Sequence, residues 1–309
     1  MATINLSNIT NRGTKAVFLE KMATAPNVYE KHCMVVPSDA PDEQYVWPGL
    51  LPVPREMISG RNLQGIMDFT FTVTNKTYEM SFIINRETLE DDRHGMLNSR
   101  IQQMAEVWAT YYDYLFAALL SEGDTLTDTY DGSAFHHGTR TVGASAAIDN
   151  LRTSAVSTTG YPTAAEVLLG LQDNLAAMSR YQDDKGRPGY NALAMRRMAA
   201  IIPPEYERGF SEAINSTLLS SSDNPWGKGL IEFDVLPYLP AVTTDDAYYL
   251  SAIGAERKPF LFQKRDELEV VVYNDGKDIA ENDGLKVLSR QRFRFGYGEF
   301  RRNVRHDYT

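Results

Sequence analysis

MLNSRIQQMAEVWATYYDYLFAALLS, residues 96–121, decides how the rest of the chain is read. Leu97, Ile101, Met104, Trp108, Tyr112, Leu115 and Leu119 recur at steps of four and three, which puts them in one stripe of an α-helix. No Pro or Gly intervenes before Gly123, so the spacing predicts a helix of about 26 residues and about 39 Å. Helices in globular proteins usually run three to four turns. A rod of this length is a structural spine, and the other elements must pack around it.

Upstream of the spine, Glu87, Glu90, Asp91 and Asp92 lack the alternating oxygen ligands and turn glycine of a calcium loop. Acids there suit the positive end of the helix dipole. Before them the period falls to two. Phe69, Phe71 and Val73 alternate with threonines, Asn75-Lys76 reads as a turn, and Tyr78, Met80, Phe82 and Ile84 alternate again. This predicts a two-stranded antiparallel hairpin with one polar, partly exposed face. Pro37, Pro41, Pro48, Pro52 and Pro54 keep the preceding stretch extended. Near the start, Phe18, Leu19 and Met22 predict one face of a short helix from about Thr14.

Downstream, residues 122–160 are rich in Gly, Ser, Thr and Asp and read as loops with short strands. Thr163 and Glu166 have capping-box spacing and open a helix with Val167, Leu168, Leu171, Leu175 and Met178 on its apolar face, ended by the polar stretch Asp183 to Gly189. Met198 to Ile202 reads as a buried strand. Pro203-Pro204-Glu205 opens a third helix carrying Tyr206, Phe210, Ile214 and Leu218. Strands follow at Leu230–Val235, Tyr248–Ile253, Phe260–Gln263, Glu269–Tyr273 and Val287–Tyr297. Strands and helices come in blocks, which is α+β and not the regular alternation of a doubly wound fold.

Composition narrows the function. The chain has 309 residues, room for about two domains at roughly 150 residues each. With 43% apolar and 23% charged residues it is neither disordered nor fibrous. It has no apolar run of about 18 residues, and its N-terminus, MATINLSNIT, lacks a signal pattern, so neither secretion by that route nor a membrane span is expected. Lone Cys33 cannot close a disulfide within one chain. A net charge of −10, from 31 basic and 41 acidic residues, argues against a general nucleic-acid binder.

Candidate chemistry is thin. His136-His137, with Asp128, Tyr130 and Asp131 nearby, is the most tempting cluster, but adjacent histidines point in different directions and seldom share a metal. The expected alternative is a loop with exposed imidazoles. Trp226-Gly227-Lys228-Gly229 lacks phosphate-loop spacing, and Gly296-Tyr297-Gly298 lacks the third glycine of a dinucleotide site. Cys33 follows His32 without a thiol-protease signature. From Arg290 to Tyr297, Arg290, Arg292 and Arg294 alternate with Phe293, Phe295 and Tyr297, giving a strand one basic and one aromatic face. That is either a nucleic-acid stripe or, as favoured here, a core strand whose arginines pair with acids. No catalytic residue, cofactor or metal ligand is assigned.

In order and spacing these segments resemble the major head (capsid) protein family of Mu-like bacteriophages. The resemblance rests on Asn75-Lys76-Thr77-Tyr78-Glu79, on Asn85-Arg86-Glu87-Thr88-Leu89-Glu90-Asp91-Asp92 leading into the spine, and on Tyr130-Asp131-Gly132-Ser133-Ala134-Phe135. It continues through Pro203-Pro204-Glu205 and Lys258-Pro259-Phe260-Leu261-Phe262-Gln263. After Phe135 the family tends to continue Asp-x-x-His-Pro, whereas this chain has His136-His137-Gly138, so no role is carried to those histidines.

The resemblance implies the Hong Kong 97-type phage capsid fold. Its parts would be an N-terminal arm at 1–44, an extended loop built on the β-hairpin at 45–85, and a peripheral domain at 86–139 with spine helix 96–121. An axial domain would follow at 140–245, and 246–309 would return as closing strands of the peripheral domain. It also implies self-assembly into hexamers and pentamers of an icosahedral head enclosing double-stranded DNA without sequence-specific contact. A separate scaffold and the portal would be partners, assembly would take place in the host bacterial cytoplasm, the mature protein would sit in the virion, and no membrane would be involved. Trp47, Arg55, Glu56 and Arg61 are the candidate inter-subunit contacts. The competing readings are a metal-dependent hydrolase using His136 and His137, and another phage structural part such as a tail-tube or decoration protein.

Overall fold

The computed structural model describes residues 6–48, 68–85, 96–158, 161–188, 197–215, 218–219, 222–223, 231–241, 246–254, 257–273 and 284–309. The helices named below are α1 (Leu6–Thr24), α2 (Tyr29–His32), α3 (Met96–Ser121), α4 (Ala164–Arg180) and α5 (Glu207–Asn215). The long helix read from the sequence is α3, 26 residues between the expected ends. Ile101, Met104, Trp108, Tyr112 and Leu119 of its stripe are buried and Leu115 is half-buried.

Beneath α3 lies a five-stranded sheet of β1 (Cys33–Pro37), β4 (Lys76–Asn85), β11 (Phe260–Lys264), β12 (Glu269–Tyr273) and β13 (Gly284–Tyr297), with β13 at its centre. The 14 residues of β13 span about 46 Å at about 3.3 Å each, enough to underlie the whole helix. Its odd-numbered residues Val287, Ser289, Gln291, Phe293, Phe295 and Tyr297 are all buried, whereas Leu288 and Arg290 are exposed. Period two thus sorts the Arg–aromatic segment into a core face and a solvent face, and Arg292 pairs with Asp266 at 4.0 Å. Polar groups set the register of helix on strand. The Trp108 indole N–H donates to Ser289 Oγ at 2.7 Å, the Tyr112 hydroxyl donates to Gln291 Oε1, and the Tyr297 hydroxyl donates to Leu119 O at 2.8 Å. Alongside, α1 contributes fully buried Phe18 and the Lys21–Glu106 pair at 2.9 Å.

A second five-stranded sheet has the order β5 (Leu151–Ser154), β14 (Asn303–Tyr308), β10 (Ala247–Ala252), β6 (Met198–Ile202), β9 (Ile231–Val235). Residues 198–202 are buried throughout, as their apolar run predicts. The capping box of α4 forms: Thr163 Oγ1 accepts from the Glu166 N–H, and the Glu166 carboxylate accepts from the Thr163 N–H. Val167, Leu171 and Met178 are buried from this helix. From α5 come Phe210 and Ile214.

Four expectations need correction. The predicted hairpin is not formed, because β4 pairs with β13, while β3 (Asp68–Thr74) pairs antiparallel with β2 (Asp42–Pro48) in register Asp42↔Thr74 to Pro48↔Asp68. A two-residue hairpin turn needs positive φ at its centre, usually supplied by glycine. Asn75-Lys76 has none, and one residue between strands lets the chain run on. Next, α1 begins at Leu6 and not near Thr14, and Leu19 is 46% exposed. Residues 6–13 contain no proline, and the helix carries Gly13 in its interior. Third, Leu218 leaves the third helix for β7 (Leu218–Leu219), paired with β8 (Ser222–Asp223). Finally, 246–309 does not serve the spine sheet alone: β11 to β13 do, but β10 and β14 belong to the second sheet.

Trp108 is 3% exposed and hydrogen-bonded into β13. Trp108→Ala is expected to cost about 3–5 kcal/mol through the cavity it leaves, read as a shift in urea midpoint. A variant that melts like the parent would contradict the spine packing.

Candidate functional site

The β2–β3 pair is a two-stranded ribbon that joins neither large sheet. Its base is held by side chains. Gln263, fully buried in β11, donates through Nε2 to Val73 O at 3.1 Å and to Asn75 Oδ1 at 2.8 Å, and its Oε1 accepts from the Tyr45 hydroxyl at 2.7 Å. One amide therefore grips both strands. Asn75 in turn donates through Nδ2 to Ser38 Oγ at 2.8 Å and Ala40 O at 2.9 Å, and its backbone N–H reaches Pro41 O at 3.0 Å. The Glu43 carboxylate accepts from Ser38 Oγ and from the N–H groups of Asp39 and Ala40, which hold its pKa below the usual carboxylate range, the Ala40 bond contributing most. Tyr45 and Phe71, directly opposite across the ribbon, stack with centroids 5.3 Å apart. Between the ribbon, the C-terminal turn of α3 and the end of β13 runs a groove of about 480 Å³, whose lining includes Lys76, Tyr78, Glu122, Asp128 and Arg294.

Of the expected contact residues, Trp47 lies on β2 opposite Phe69. Arg55, Glu56 and Arg61 fall outside the described residues, as do the acidic cluster 87–92 and the Trp226–Gly229 motif. Gly298 is a packing requirement, since a Cβ there would stand 3.0 Å from the carbonyls of Lys258 and Pro259.

The histidines are not as the sequence suggests. His136 is 1% exposed, with Nε2 at 2.6 Å from Asn303 Oδ1, and burial pushes its pKa down to about 3. His137 lies beside it, but its Nδ1 accepts from the Thr139 N–H. Asp131 is engaged by Arg140 at 3.1 Å, and Asp128 lines the groove. The four candidate hydrolase residues do not converge, and among the described residues no three His, Cys, Asp or Glu side chains are placed to share a metal. The expected exposed loop is wrong for His136 because its neighbours carry it inward: Phe135 is fully buried, and His136 N–H bonds to Gly123 O at 2.8 Å.

What the sequence reading missed is the network around β14. Asn303 Nδ2 donates to Ser251 Oγ at 2.8 Å. Asn150 Nδ2 donates to the carbonyls of Phe135 and Phe300. Arg305 pairs with Asp124 at 3.0 Å and Asp307 at 2.9 Å. His306 lies 2.7 Å from Ser154 Oγ through Nε2 and 3.2 Å from Asn174 Oδ1 through Nδ1, and burial lowers its pKa to about 4. Serine, imidazole and amide in a line have the order of a nucleophile, its base and an orienting group. Here, however, the imidazole is 2% exposed and enclosed by the rings of Tyr248 and Tyr308 at 5.0 and 5.1 Å, so the line ties α4 to β5 and β14.

Comparison with known proteins gives these elements a lineage. The family model described as the Mu-like prophage major head subunit gpT matches residues 7–169, more than half of the chain. The chain belongs to that family. Among curated relatives, the major capsid protein of Escherichia phage Mu is 34% identical over 111 residues, 36% of each chain. The Mu-like prophage FluMu major head subunit of Haemophilus influenzae is 28% identical over 159 residues, 49% of this chain and 51% of that one. The matches therefore span between about a third and a half of these relatives' lengths.

Solved structures extend the likeness to the whole fold. The procapsid protein of bacteriophage JBD30 superposes with a TM-score of 0.57 at 18% identity, covering 100% of this chain and 77% of that one. The capsid of cyanophage P-SCSP1u gives 0.64 at 11%, covering 92% and 89%. The virus-like particle from Pyrococcus furiosus gives 0.59 at 10%, covering 95% and 98%. The fold is the α+β, Hong Kong 97-type capsid fold that the resemblance implies.

His136 and His306 are neutral when folded and titrate near 6.5 when unfolded. Their stabilising contribution is therefore present above pH 6.5 and lost as pH falls toward 4 and below, at up to about 1.4 kcal/mol per pH unit for each imidazole. Urea midpoints measured from pH 7 to 4 should fall, and His306→Gln should flatten the decline. His136→Ala should lower stability at neutral pH, because it leaves a cavity and an unpaired Asn303.

Proposed function

We propose that this chain is a major capsid subunit, which assembles with copies of itself into hexamers and pentamers of an icosahedral head around double-stranded DNA. The observation that carries the reading is the family match over 7–169, which spans α1, the ribbon and the whole spine helix. Likeness to capsid assemblies supports the same conclusion at the level of the fold. We assign the protein no catalysis, and we place it in the virion, assembled in the host cytoplasm with a separate scaffold and a portal.

The proposed division shortens the arm from 1–44 to 1–41 and moves the extended loop from 45–85 to the ribbon and its connection, 42–74, because that is where β2 and β3 pair. The peripheral domain is the spine sheet with α3. The axial domain is the second sheet with α4 and α5, including β10 and β14. Trp47, Arg55, Glu56 and Arg61 keep their proposed place at contacts between copies, where desolvated charge pairs weigh most.

A shell subunit should separate folding from assembly. Replacing residues 50–66 with a short Gly/Ser linker is expected to leave helix content and melting nearly unchanged while abolishing closed shells. Circular dichroism of the soluble subunit and negative-stain microscopy of the assembly products read the two outcomes. Normal shells from the shortened protein would remove the extended loop from assembly, and an unfolded subunit would place it in the core. A full-length protein that forms only a small monodisperse oligomer would count against the capsid reading itself.

A further inference from the structure

We infer that Gln263, with Asn75 and Tyr45, is a positioning device that fixes the direction in which the ribbon leaves the body, and so the curvature at which copies of the chain meet; this rests on the capsid reading above. Among the described residues no other strand pairs with the ribbon, and a lone two-stranded ribbon is marginal in water. Its direction must come from attachments to the body. Gln263 is the first, since its single buried amide touches Tyr45 on β2, Val73 on β3 and Asn75 at the exit of the ribbon. Phe69 against Tyr130, with centroids 5.4 Å apart, is the second. Tyr130 is itself anchored, its hydroxyl accepting from Arg301 Nη1 at 3.2 Å and its ring lying 5.7 Å from that of Phe300.

Two separated attachments define a line, and here they define it from a rigid strand and a buried loop. A tilt of β3 about its Gln263 end would draw Phe69, near the opposite end of the strand, off the Tyr130 ring. Hydrogen bonds from a fully buried amide resist such a tilt, because breaking them strands polar groups away from water. The bonds are made by side chains, and among the described residues no ladder joins the ribbon to either large sheet. Ribbon direction can therefore be changed without unfolding the sheets.

The test pairs Tyr45→Phe, which keeps the ring stack with Phe71, with Asn75→Ala, singly and together, in the full chain. Melting and helix content are expected to stay near those of the parent. Hydrogen exchange of ribbon amides 69–74 is expected to quicken roughly tenfold or more in the double variant. Assembled particles should spread in diameter where the parent gives one size, and Asn75→Asp, which restores an acceptor for the Gln263 amide, should narrow the spread. Unchanged ribbon exchange, or faster exchange with parental diameters, would overturn the inference. If the double variant fails to fold, Tyr45→Phe alone decides by the same two readouts. A parent that forms no shells would instead defeat the capsid reading, which is a separate outcome.

Discussion

Everything else in the molecule is placed by the contact of one long helix with one long strand. About 39 Å of α3 lies over about 46 Å of β13, and the odd-numbered residues from Val287 to Tyr297 form the strand's buried face. Apolar matching alone would let helix and strand slide, because burial of greasy surface is non-directional. Trp108 on Ser289 and Tyr112 on Gln291 remove that freedom. Ser289 and Gln291 interrupt an otherwise apolar face, and each meets an aromatic side chain carrying a polar tip. With the register set, β4, β11 and β12 add to β13 by ordinary pairing, and Asp113 on the helix accepts from the N–H groups of Val28 and Tyr29, which brings the segment after α1 back to the spine.

The second sheet solves a different problem. Its β14 is an interior strand that reads Asn-Val-Arg-His-Asp-Tyr, a sequence no propensity would place between two neighbours. Five of its six residues are buried. It is tolerated there because Asn303, Arg305 and His306 all find partners, and buried polar groups cost little once paired. The partners come from distant segments: Ser154 on β5, Asn174 on α4, Ser251 on β10, Asp124 after the spine. A half-satisfied network would be worse than an apolar core, so the burial of β14 depends on all of these partners being present.

This explains which parts of the fold were legible beforehand. The spine, the capping box at Thr163, the strand at 198–202 and the aromatic face of β13 each announce themselves within a window of a few turns or a few alternations. Strand β14 does not, since its burial depends on partners from 52 to 167 residues away in sequence. The ribbon was misread for a related reason. Alternation showed that 69–73 and 78–84 are strands but said nothing about whom they pair with, and the decisive residue, Asn75, looks like any turn former. The buried state of His136 was equally hidden, because only the fold places Asn303 beside it. Gln263 lay within a quoted motif, yet its part at the ribbon base follows from three contacts far apart in the chain.

The arrangement would separate two demands that conflict in the self-assembling subunit proposed above. A body must be rigid to present the same surfaces in every copy, and α3 on β13 together with the β14 network supplies that. Closed rings and shells need heterologous contacts, in which one surface meets a different surface on the next copy. Small errors of angle then accumulate around the ring. A ribbon continuous with either large sheet would share its twist and could change direction only by breaking ladder bonds. A ribbon held by Gln263 and Asn75 keeps its own direction, set by a few hydrogen bonds whose geometry the buried amide dictates. The body thus contributes the stability, and the side chains at the ribbon base contribute the angle.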